Sequence, residues 1–413
     1  MKLLFDAHCH VLSLARPALG PFLEALNARK GEAFLAQVSS PSYLLFSFLR
    51  HGGEAALRML SVAECDAARV FMLMEDDLAG RFAAGLDDAP EGLEGFEGLR
   101  FLGERWDGWF ACPLLLDFGR PVEGLPAAYY PSMPRKPIEE SAREMLAGIR
   151  GYRRERPRGK LLIRPFLGID PVYRGASATE ELLDRYFAGF KKTLPAQLAA
   201  FRRAAAWKGD PEKPPRNSFA GVKLYPPLGF DPWPGDSMGR DAVRLLYGYC
   251  EARGIPLTVH CDDQGYSTIT IERAGQHTDP ERWAPILAEF PRLIVNFAHF
   301  GERYLLPGWG DSKERWTRCI VGLMERYEGV YADVAFNGCD PEYWARLCAF
   351  LDGLSPNALA IVRRRLLYGT DFFINLTKVR SYLDYAQGFA HCCLDRELKR
   401  AMVAENPERF FMV

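Results

Sequence analysis

The chain has little of what marks a membrane, nucleic-acid-binding or disulfide-rich protein. Its apolar runs, such as Trp109 to Leu116, are far shorter than the ~20 residues that a membrane helix requires. Its 52 basic and 53 acidic side chains leave a net charge of −1, which excludes a strong electrostatic footprint for nucleic acid or an anionic membrane. The ten cysteines show no Cys-x-x-Cys spacing and no secretory leader is recognisable, so we expect reduced cysteines and a cytoplasmic location.

Histidine is also scarce, which makes its placement informative. Only seven histidines occur, and two of them stand in the opening segment Asp6-Ala-His-Cys-His10. Alternate side chains on a strand share a face, so the imidazoles of His8 and His10 are expected to point the same way. Two such imidazoles suit a divalent metal ion, although a pair this short is by itself more often structural.

Other groups that suit metal binding or catalysis lie in four later apolar runs. Three runs end at His260, at His299 and at Asp371, and a fourth carries Lys223 in an otherwise apolar segment, where an unpaired ammonium is costly. The runs are short and flanked by helix-like sequence, which is typical of parallel strands that alternate with helices. In a (β/α)8 barrel the carboxyl ends of the strands converge on one mouth, so these groups are expected to meet there.

In order and spacing these segments resemble the metal-dependent hydrolases of the amidohydrolase superfamily. The closer resemblance is to the amidohydrolase-related (amidohydrolase 2) branch, which includes aromatic-acid decarboxylases and lactone hydrolases. The family's signatures of strands one, four, five, six and eight and of the C-terminal helix match Asp6 to His10, Gly221 to Pro226, Val259-His260, Ala298 to Gly301, Gly369 to Asp371 and Asn406 to Phe410. No family signature occurs between about residues 14 and 155.

We therefore expect an α/β protein: a TIM (β/α)8 barrel that residues 1–413 form as a single domain. A long helical insertion is expected after the first strand, at about 14–105. Barrels of about 250 residues tolerate such insertions, and this one could shape access to the mouth.

Three finer structural expectations concern the middle and the end of the chain. The second strand is either Arg69 to Met74 or, as we prefer, Trp109 to Phe118. One helix is expected over 178–207. Asn406 and Arg409 are expected to tie the last helix to the barrel.

The resemblance implies a divalent ion, expected to be zinc, that His8, His10 and Asp371 hold, with His260 as the next ligand. Such an ion lowers the pKa of bound water toward ~7, which gives a metal-bound hydroxide at neutral pH, and it polarises a carbonyl. Asp371 is the expected proton carrier. Taken alone, Gly-Thr-Asp is equally typical of a turn whose carboxylate caps the next helix.

The role of Lys223 differs between one-metal and two-metal mechanisms. In binuclear members of the superfamily the strand-four lysine is carboxylated and bridges two ions, so that Lys223, His260 and His299 would hold the second ion. In the branch that this chain resembles most, one ion is usual, and His299 would be a hydrogen-bonding electrophile or proton shuttle. We favour one ion, with Lys223 binding an anionic substrate group. The alternative is that Lys223 pairs with a carboxylate of a neighbouring strand.

Two further residues are candidates for substrate binding. Arg164, in an apolar strand, suits bidentate binding of a carboxylate, but an ion pair inside the barrel explains it equally well. Tyr225 could donate to a substrate oxygen or simply pack in its loop. Asp262 and Asp263 follow His260 in the loop expected to border the mouth and could line the pocket, but acidic loop residues are usually solvated, and we expect that here.

The sequence thus favours a hydrolase that acts on an ester, lactone or amide bond of a small, carboxylated molecule. The close alternative is a lyase that removes CO2 from a small aromatic or unsaturated acid, with Asp371 or His299 protonating the carbon. A third alternative is a metal-binding protein without catalysis. The expected partner is a small molecule, not nucleic acid or a membrane; barrels of this kind often form homo-oligomers, and the sequence leaves oligomeric state open.

Overall fold

The computed structural model describes residues 1–11, 58–79, 99–120, 136–210, 213–263, 265–303 and 314–412. Most of the insertion predicted at about 14–105 therefore lies outside the described residues. Within that span the structure describes helix α1 (Ala67–Leu78) and an antiparallel strand pair, β2 (Arg100–Phe101) with β3 (Glu104–Arg105). Arg69 to Met74 lie in α1, so the structure confirms the preference for Trp109 onward as the second barrel strand.

Nine short segments, all buried, build one cylinder of parallel strands. They are β1 (Leu3–Cys9), β4 (Gly108–Pro113), β5 (Leu161–Ile163), β6 (Phe166–Gly168), β7 (Gly221–Leu224), β8 (Leu257–Val259), β9 (Val295–Phe297), β10 (Val330–Asp333) and β11 (Leu366–Leu367). Strands buried on both faces need apolar side chains throughout, which is why the chain shows continuous apolar runs and not alternation.

Strand pairing closes the cylinder. One parallel sheet runs β1-β4-β5 and another runs β6 to β11 in chain order. A parallel bridge between Leu114 and Phe166 joins the two sheets, and the Ala7 N–H donates to the Tyr368 carbonyl at 2.9 Å across the other seam. Because β5 and β6 are two halves of one strand, interrupted at Arg164, the barrel has eight strands. The TIM-barrel prediction is confirmed.

Helices cover the outside of this barrel. They are α2 (Ile138–Glu155), α3 (Pro171–Arg174), α4 (Ala176–Phe187), α5 (Leu194–Ala205), α6 (Ser237–Arg253), α7 (Ile271–Thr278), α8 (Ala284–Glu289), α9 (Arg315–Arg326), α10 (Pro341–Asp352), α11 (Pro356–Arg363), α12 (Tyr382–His391), α13 (Arg396–Val403) and α14 (Glu405–Met412). None of the described helices is long and apolar enough to cross a membrane.

The single helix predicted over 178–207 is wrong, because the structure has two helices there. Helix α4 ends at Phe187 and α5 begins at Leu194. Gly189 adopts a φ of 72° between them, a left-handed conformation that a helix cannot continue through. Pro195 in the first turn of α5 then suits a new helix start, where its missing N–H costs nothing.

The last helix closes against the barrel as predicted. The Asn406 side chain donates to the carbonyls of Arg363 and Leu366, and Arg409 donates to that of Arg364. Phe411 packs its ring 4.9 Å from that of Phe110 in β4.

The cysteines depart from the expectation that all are reduced. Cys348 in α10 forms a disulfide with Cys393, which follows α12, while the other eight are free. This pair was not predictable from spacing, because 45 residues separate its members in the sequence.

Candidate metal centre

The first two site residues lie at the carboxyl end of β1. The His8 side chain is fully buried and His10 is 6% exposed. Strand alternation turns both rings to one face, and their Nε2 atoms lie 3.3 Å apart, as the sequence predicts.

Asp371 reaches the same point from the loop after β11. Its backbone has a φ of 58°, and its N–H donates to the His8 carbonyl at 2.8 Å. The carboxylate atom Oδ1 lies 3.3 Å from Nε2 of His8 and 3.2 Å from Nε2 of His10. Although burial raises the pKa of this carboxyl, its close contacts with His10 and His8 hold it well below its usual value. Asp371 is therefore a carboxylate at neutral pH.

Asp6 fixes the loop that carries Asp371. Its carboxylate accepts from the Thr370 hydroxyl at 2.7 Å, the Thr370 N–H at 3.1 Å and the Tyr382 hydroxyl at 2.7 Å. It also accepts from the His8 N–H at 3.1 Å. One buried side chain thus joins the first strand to the end of the last.

Three imidazoles are oriented by hydrogen bonds at Nδ1. His8 donates to Asp333 Oδ2 at 3.0 Å, His10 to the Leu114 carbonyl at 2.8 Å and His299 to the Ala335 carbonyl at 2.9 Å. Carbonyl and carboxylate oxygens only accept, so each Nδ1 carries a proton, and Nε2 is the ring nitrogen left to bind a metal ion. This is the usual arrangement around metal-binding histidines.

Asp333 holds two of these histidines, His8 by its ring and His299 by its backbone. Besides the contact with His8, its Oδ1 accepts from the backbone N–H of His299 at 3.1 Å, and Asn296 donates to its Oδ2 at 2.6 Å. Burial lowers the pKa of His8, but the Asp333 charge outweighs it and raises that pKa to about 9. Burial raises the pKa of Asp333, and the His8 cation reverses this and lowers it far below its usual range.

A second cluster lies beside the first. His260 Nε2 lies 2.9 Å from Asp262 Oδ1, and His299 Nε2 lies 3.8 Å from Asp262 Oδ2. The rings of His299 and His8 are 5.0 Å apart between centroids, so the two clusters adjoin. Burial lowers the pKa of His299 to about 4 against the opposing charge of Asp262. His299 is therefore neutral at pH 7.

Lys223 approaches from β7. Its side chain is buried, and its Nζ has no hydrogen-bond partner among the described residues. Burial lowers the pKa of this amine to about 8, although Asp333, Asp371 and Asp262 act in the opposite direction. Tyr225, at the end of the same strand, packs its ring 4.5 Å from that of His260.

The family is decided by a sequence model. The model described as Amidohydrolase matches residues 173–413, more than half of the chain. The chain belongs to the amidohydrolase family. The resemblance stated from the sequence is therefore confirmed. The protein has the fold of the metal-dependent hydrolases and lyases of this family.

Similar solved structures include other amidohydrolase-like proteins. Amidohydrolase 2 from Bifidobacterium longum subsp. infantis is 14% identical, with a TM-score of 0.40 and coverage of 100% of this chain and 99% of that chain. A 4-oxalomesaconate hydratase from Rhodopseudomonas palustris is 12% identical, with a TM-score of 0.41 and coverage of 99% and 95%. A TIM-barrel protein from Bordetella bronchiseptica is 15% identical, with a TM-score of 0.42 and coverage of 82% and 91%. No curated protein matches the chain.

The donor atoms of this amidohydrolase suit a divalent ion. Two ligand atoms at about 2.1 Å from a tetrahedral ion are about 3.4 Å apart. The three separations among His8 Nε2, His10 Nε2 and Asp371 Oδ1 are 3.3, 3.3 and 3.2 Å. Nitrogen and carboxylate donors suit zinc and other divalent transition metals. The clusters His8–His299–Asp333 and His260–Asp262–His299 also bring their ligand atoms within 4.8 Å of one another.

The structure does not bring Arg164 to this centre. Its side chain is fully buried and donates to the Gln197 side chain in α5 and to the carbonyls of Asn217, Ser218 and Phe219, which precede β7. These bonds differ both from the predicted substrate contact and from the alternative ion pair inside the barrel. The physical reason is the direction of the Arg164 side chain, which extends from the barrel wall toward α5.

Three residues of the site were given no role in it by sequence reasoning. Asp6 lies within β1, Asp262 follows β8 and Asp333 ends β10, and all three carboxylates are buried. The prediction that Asp262 is solvated is wrong, since it lies between two histidines. The available signal was position, since Asp333 ends β10 and Asp6 precedes the histidine pair.

Proposed function

We propose that this amidohydrolase uses one divalent ion, held by His8, His10 and Asp371, to hydrolyse an ester, lactone or amide bond of a small, carboxylated molecule. The observation that carries the proposal is the near-equilateral triangle of donor atoms, with sides of 3.2 to 3.3 Å. Zinc is the proposed ion because two imidazoles and a carboxylate suit it.

A divalent ion bound there would supply Lewis-acid chemistry, polarising a substrate carbonyl and acidifying water. The chain supplies the rest. Asp371, ionised and beside both imidazoles, is positioned to take a proton during attack and to return it to the leaving group. Its low pKa makes it a weak base, so the proton stays on it only briefly.

His299 is proposed to act as a proton shuttle beside the scissile bond. Its Nε2 carries a lone pair at neutral pH, because Nδ1 donates to Ala335 and its pKa is about 4. Asp262, 3.8 Å away, would stabilise the imidazolium formed when His299 takes a proton. Asp262 and His260 are thus proposed to position His299.

Lys223 is proposed to bind the substrate's carboxylate. A buried ammonium without a hydrogen-bond partner is costly, and a substrate carboxylate would supply the missing partner. Tyr225 lies at the end of the same strand and packs on His260, which places its ring next to the site. The proposed substrate is therefore an anion whose scissile bond lies a short distance from its carboxylate.

A lyase is the second candidate, and the same Lys223 observation supports it. An ammonium that binds a carboxylate can equally anchor an acid that loses CO2, with Asp371 or His299 passing a proton from solvent to the carbon that has lost CO2. The two reactions differ in whether water is a reactant.

The test is turnover in H2(18)O with a panel of lactones, esters and amides and a panel of aromatic and unsaturated acids. We expect solvent oxygen in the product of a carboxylated substrate, and loss of turnover in Asp371→Asn. The matched control is Asp236→Asn, which alters a carboxylate that caps α6 and for which asparagine is an equally good cap. Release of CO2 without solvent oxygen in the product would refute the hydrolase in favour of the lyase. Inactivity on both panels, with unchanged thermal stability after chelation, would refute both.

A further inference from the structure

A cavity lies on the outside of the barrel wall, against α5. Its volume is about 470 Å³. The charged and amide side chains that line it are Arg164, Lys191, Gln197, Arg203, Arg216 and Asn217. No acidic side chain is among the described residues that line it. The cavity is therefore strongly basic in a chain whose net charge is only −1.

Arg164 forms the floor of this cavity and is a buried cation without a counter-ion. Four hydrogen bonds tie its guanidinium to the Gln197 amide and to three backbone carbonyls. No carboxylate pairs with it among the described residues. Burying a charge is expensive unless an opposite charge compensates it. Burial and the nearby Arg203 cation together lower the pKa of Arg164 to about 9.

Three more cations surround the opening. Lys191, Arg203 and Arg216 are exposed, so their charges reach the cavity from the solvent side. Arg203 also donates to the Arg216 carbonyl at 3.5 Å, which brings these two segments together. Like charges gathered at one cavity repel one another unless an anion lies between them.

Asn217 adds an acceptor to the same wall. Its backbone φ is 56°, and its Nδ2 donates to the Gly189 carbonyl at 3.1 Å. Its Oδ1 is buried and has no hydrogen-bond partner among the residues that the structure describes. A ligand that pairs with Asn217 Oδ1 and with the surrounding cations would carry a hydrogen-bond donor as well as negative charge.

The cavity is separate from the metal centre. Asn217, Ser218 and Phe219 precede β7, whereas Lys223 lies near its carboxyl end, where the metal centre is found. The Arg164 side chain leaves the barrel wall on the side of α5.

We propose that this cavity binds a phosphate group bearing a hydroxyl, as hydrogenphosphate or a hydroxylated phosphate ester does. Guanidinium groups suit the phosphate oxygens through paired hydrogen bonds, and the hydroxyl would donate to Asn217 Oδ1. The ligand class follows from the combination of four cations with one unpaired acceptor. The site does not depend on the proposed hydrolase activity.

The test is isothermal titration of the metal-free full chain with inorganic phosphate and, separately, with sulfate at matched ionic strength and near pH 7. Sulfate has the same shape and charge but no hydroxyl, so we expect phosphate to bind at least tenfold more tightly. Arg203→Gln with Arg216→Gln should weaken phosphate binding at least tenfold. The control, Arg202→Gln with Arg158→Gln, removes the same charge from exposed positions outside the cavity and should change binding less than twofold.

A background variant separates this cavity from the barrel mouth. Lys223→Met removes the buried cation of the metal centre and should leave phosphate binding unchanged. Loss of binding in Lys223→Met would assign the phosphate to the mouth and overturn the proposal. Equal weakening in the two arginine pairs, equal affinity for phosphate and sulfate, or no binding at all would overturn it as well.

Discussion

Asp333 Oδ2 lies 3.0 Å from Nδ1 of His8, and neither side chain is exposed to solvent. This carboxylate accepts from Nδ1 of His8 and so leaves Nε2, which faces Asp371 and His10, as the nitrogen that can bind a metal ion. The metal centre thus depends on a residue that does not itself belong to the triangle of donor atoms.

Asp333→Asn should weaken metal binding more than it weakens the fold. Second-layer partners of metal-binding histidines typically contribute 10- to 100-fold in affinity, so we expect a loss of that order. Competition with a chromogenic chelator measures it. Asp236→Asn, the cap of α6, is the control and should leave the affinity unchanged. An unchanged affinity in Asp333→Asn would contradict the positioning role.

Metal binding should release protons at neutral pH. The pKa of His8 is raised to about 9 in the metal-free protein, so below pH 9 an incoming ion must displace a proton from this ring. Apparent affinity should therefore rise with pH, by about tenfold per unit, until pH approaches 9, and level off above it. Titration calorimetry in buffers of different ionisation enthalpy should give about one proton per ion at pH 7. Asp333→Asn removes the charge that raises the pKa and should reduce this release; a release of zero in the unmodified chain would contradict the account.

Lys223→Met should stabilise the metal-free protein. Burial lowers the pKa of Lys223 from 10.5 to about 8, a shift that corresponds to ~3 kcal/mol at pH values below 8. Because the unfolded chain binds the proton more tightly than the native chain, the native protein gains stability between pH 8 and 10.5. The advantage of Lys223→Met in free energy of unfolding should therefore shrink as pH rises through that window.

The measurement is urea unfolding at pH 7 and at pH 10 in CO2-free buffer. Lys192→Met is the control, since burial also lowers the pKa of Lys192 to about 8 but this residue lies outside the metal centre. It should affect unfolding without affecting turnover, whereas Lys223→Met should abolish turnover. Stability that falls in Lys223→Met would mean that the ammonium has a partner in the folded state.

His299→Asn should separate proton transfer from metal binding. His299 is proposed to be a catalytic residue and not a metal ligand. In the variant kcat should therefore fall by about 10²- to 10⁴-fold while one ion stays bound. The acidic limb of the kcat/KM profile, near pH 4, should disappear. If the variant instead loses an ion, His299 is a ligand and the two-ion arrangement with His260 and Asp262 is favoured.

The sequence revealed the parts of this protein that depend on local pattern. Buried parallel strands need unbroken apolar runs, so the strands that end near His260, His299 and Asp371 were predictable. The parts that depend on three-dimensional direction were not. Arg164 lies in an apolar run like Lys223, yet its side chain leaves the barrel toward α5 and only the folded chain shows this.

The roles of isolated carboxylates were also not predictable from the sequence. Asp262 and Asp333 belong to no pattern of spacing, and their importance comes from the histidines that converge on them from other strands. A single glycine decided the break between α4 and α5, since Gly189 adopts a left-handed φ that the helical pattern around it does not reveal.

The most direct test of the central claim is the metal content of protein purified without added metal or chelator, measured by elemental mass spectrometry. The unmodified chain should carry one equivalent of a divalent ion, which His10→Ala and Asp371→Ala should lose and Lys223→Ala should keep. Nearly two equivalents that fall in Lys223→Ala would contradict the one-ion centre in favour of a bridged pair. No ion in the unmodified chain, even after reconstitution, would contradict a metal centre altogether.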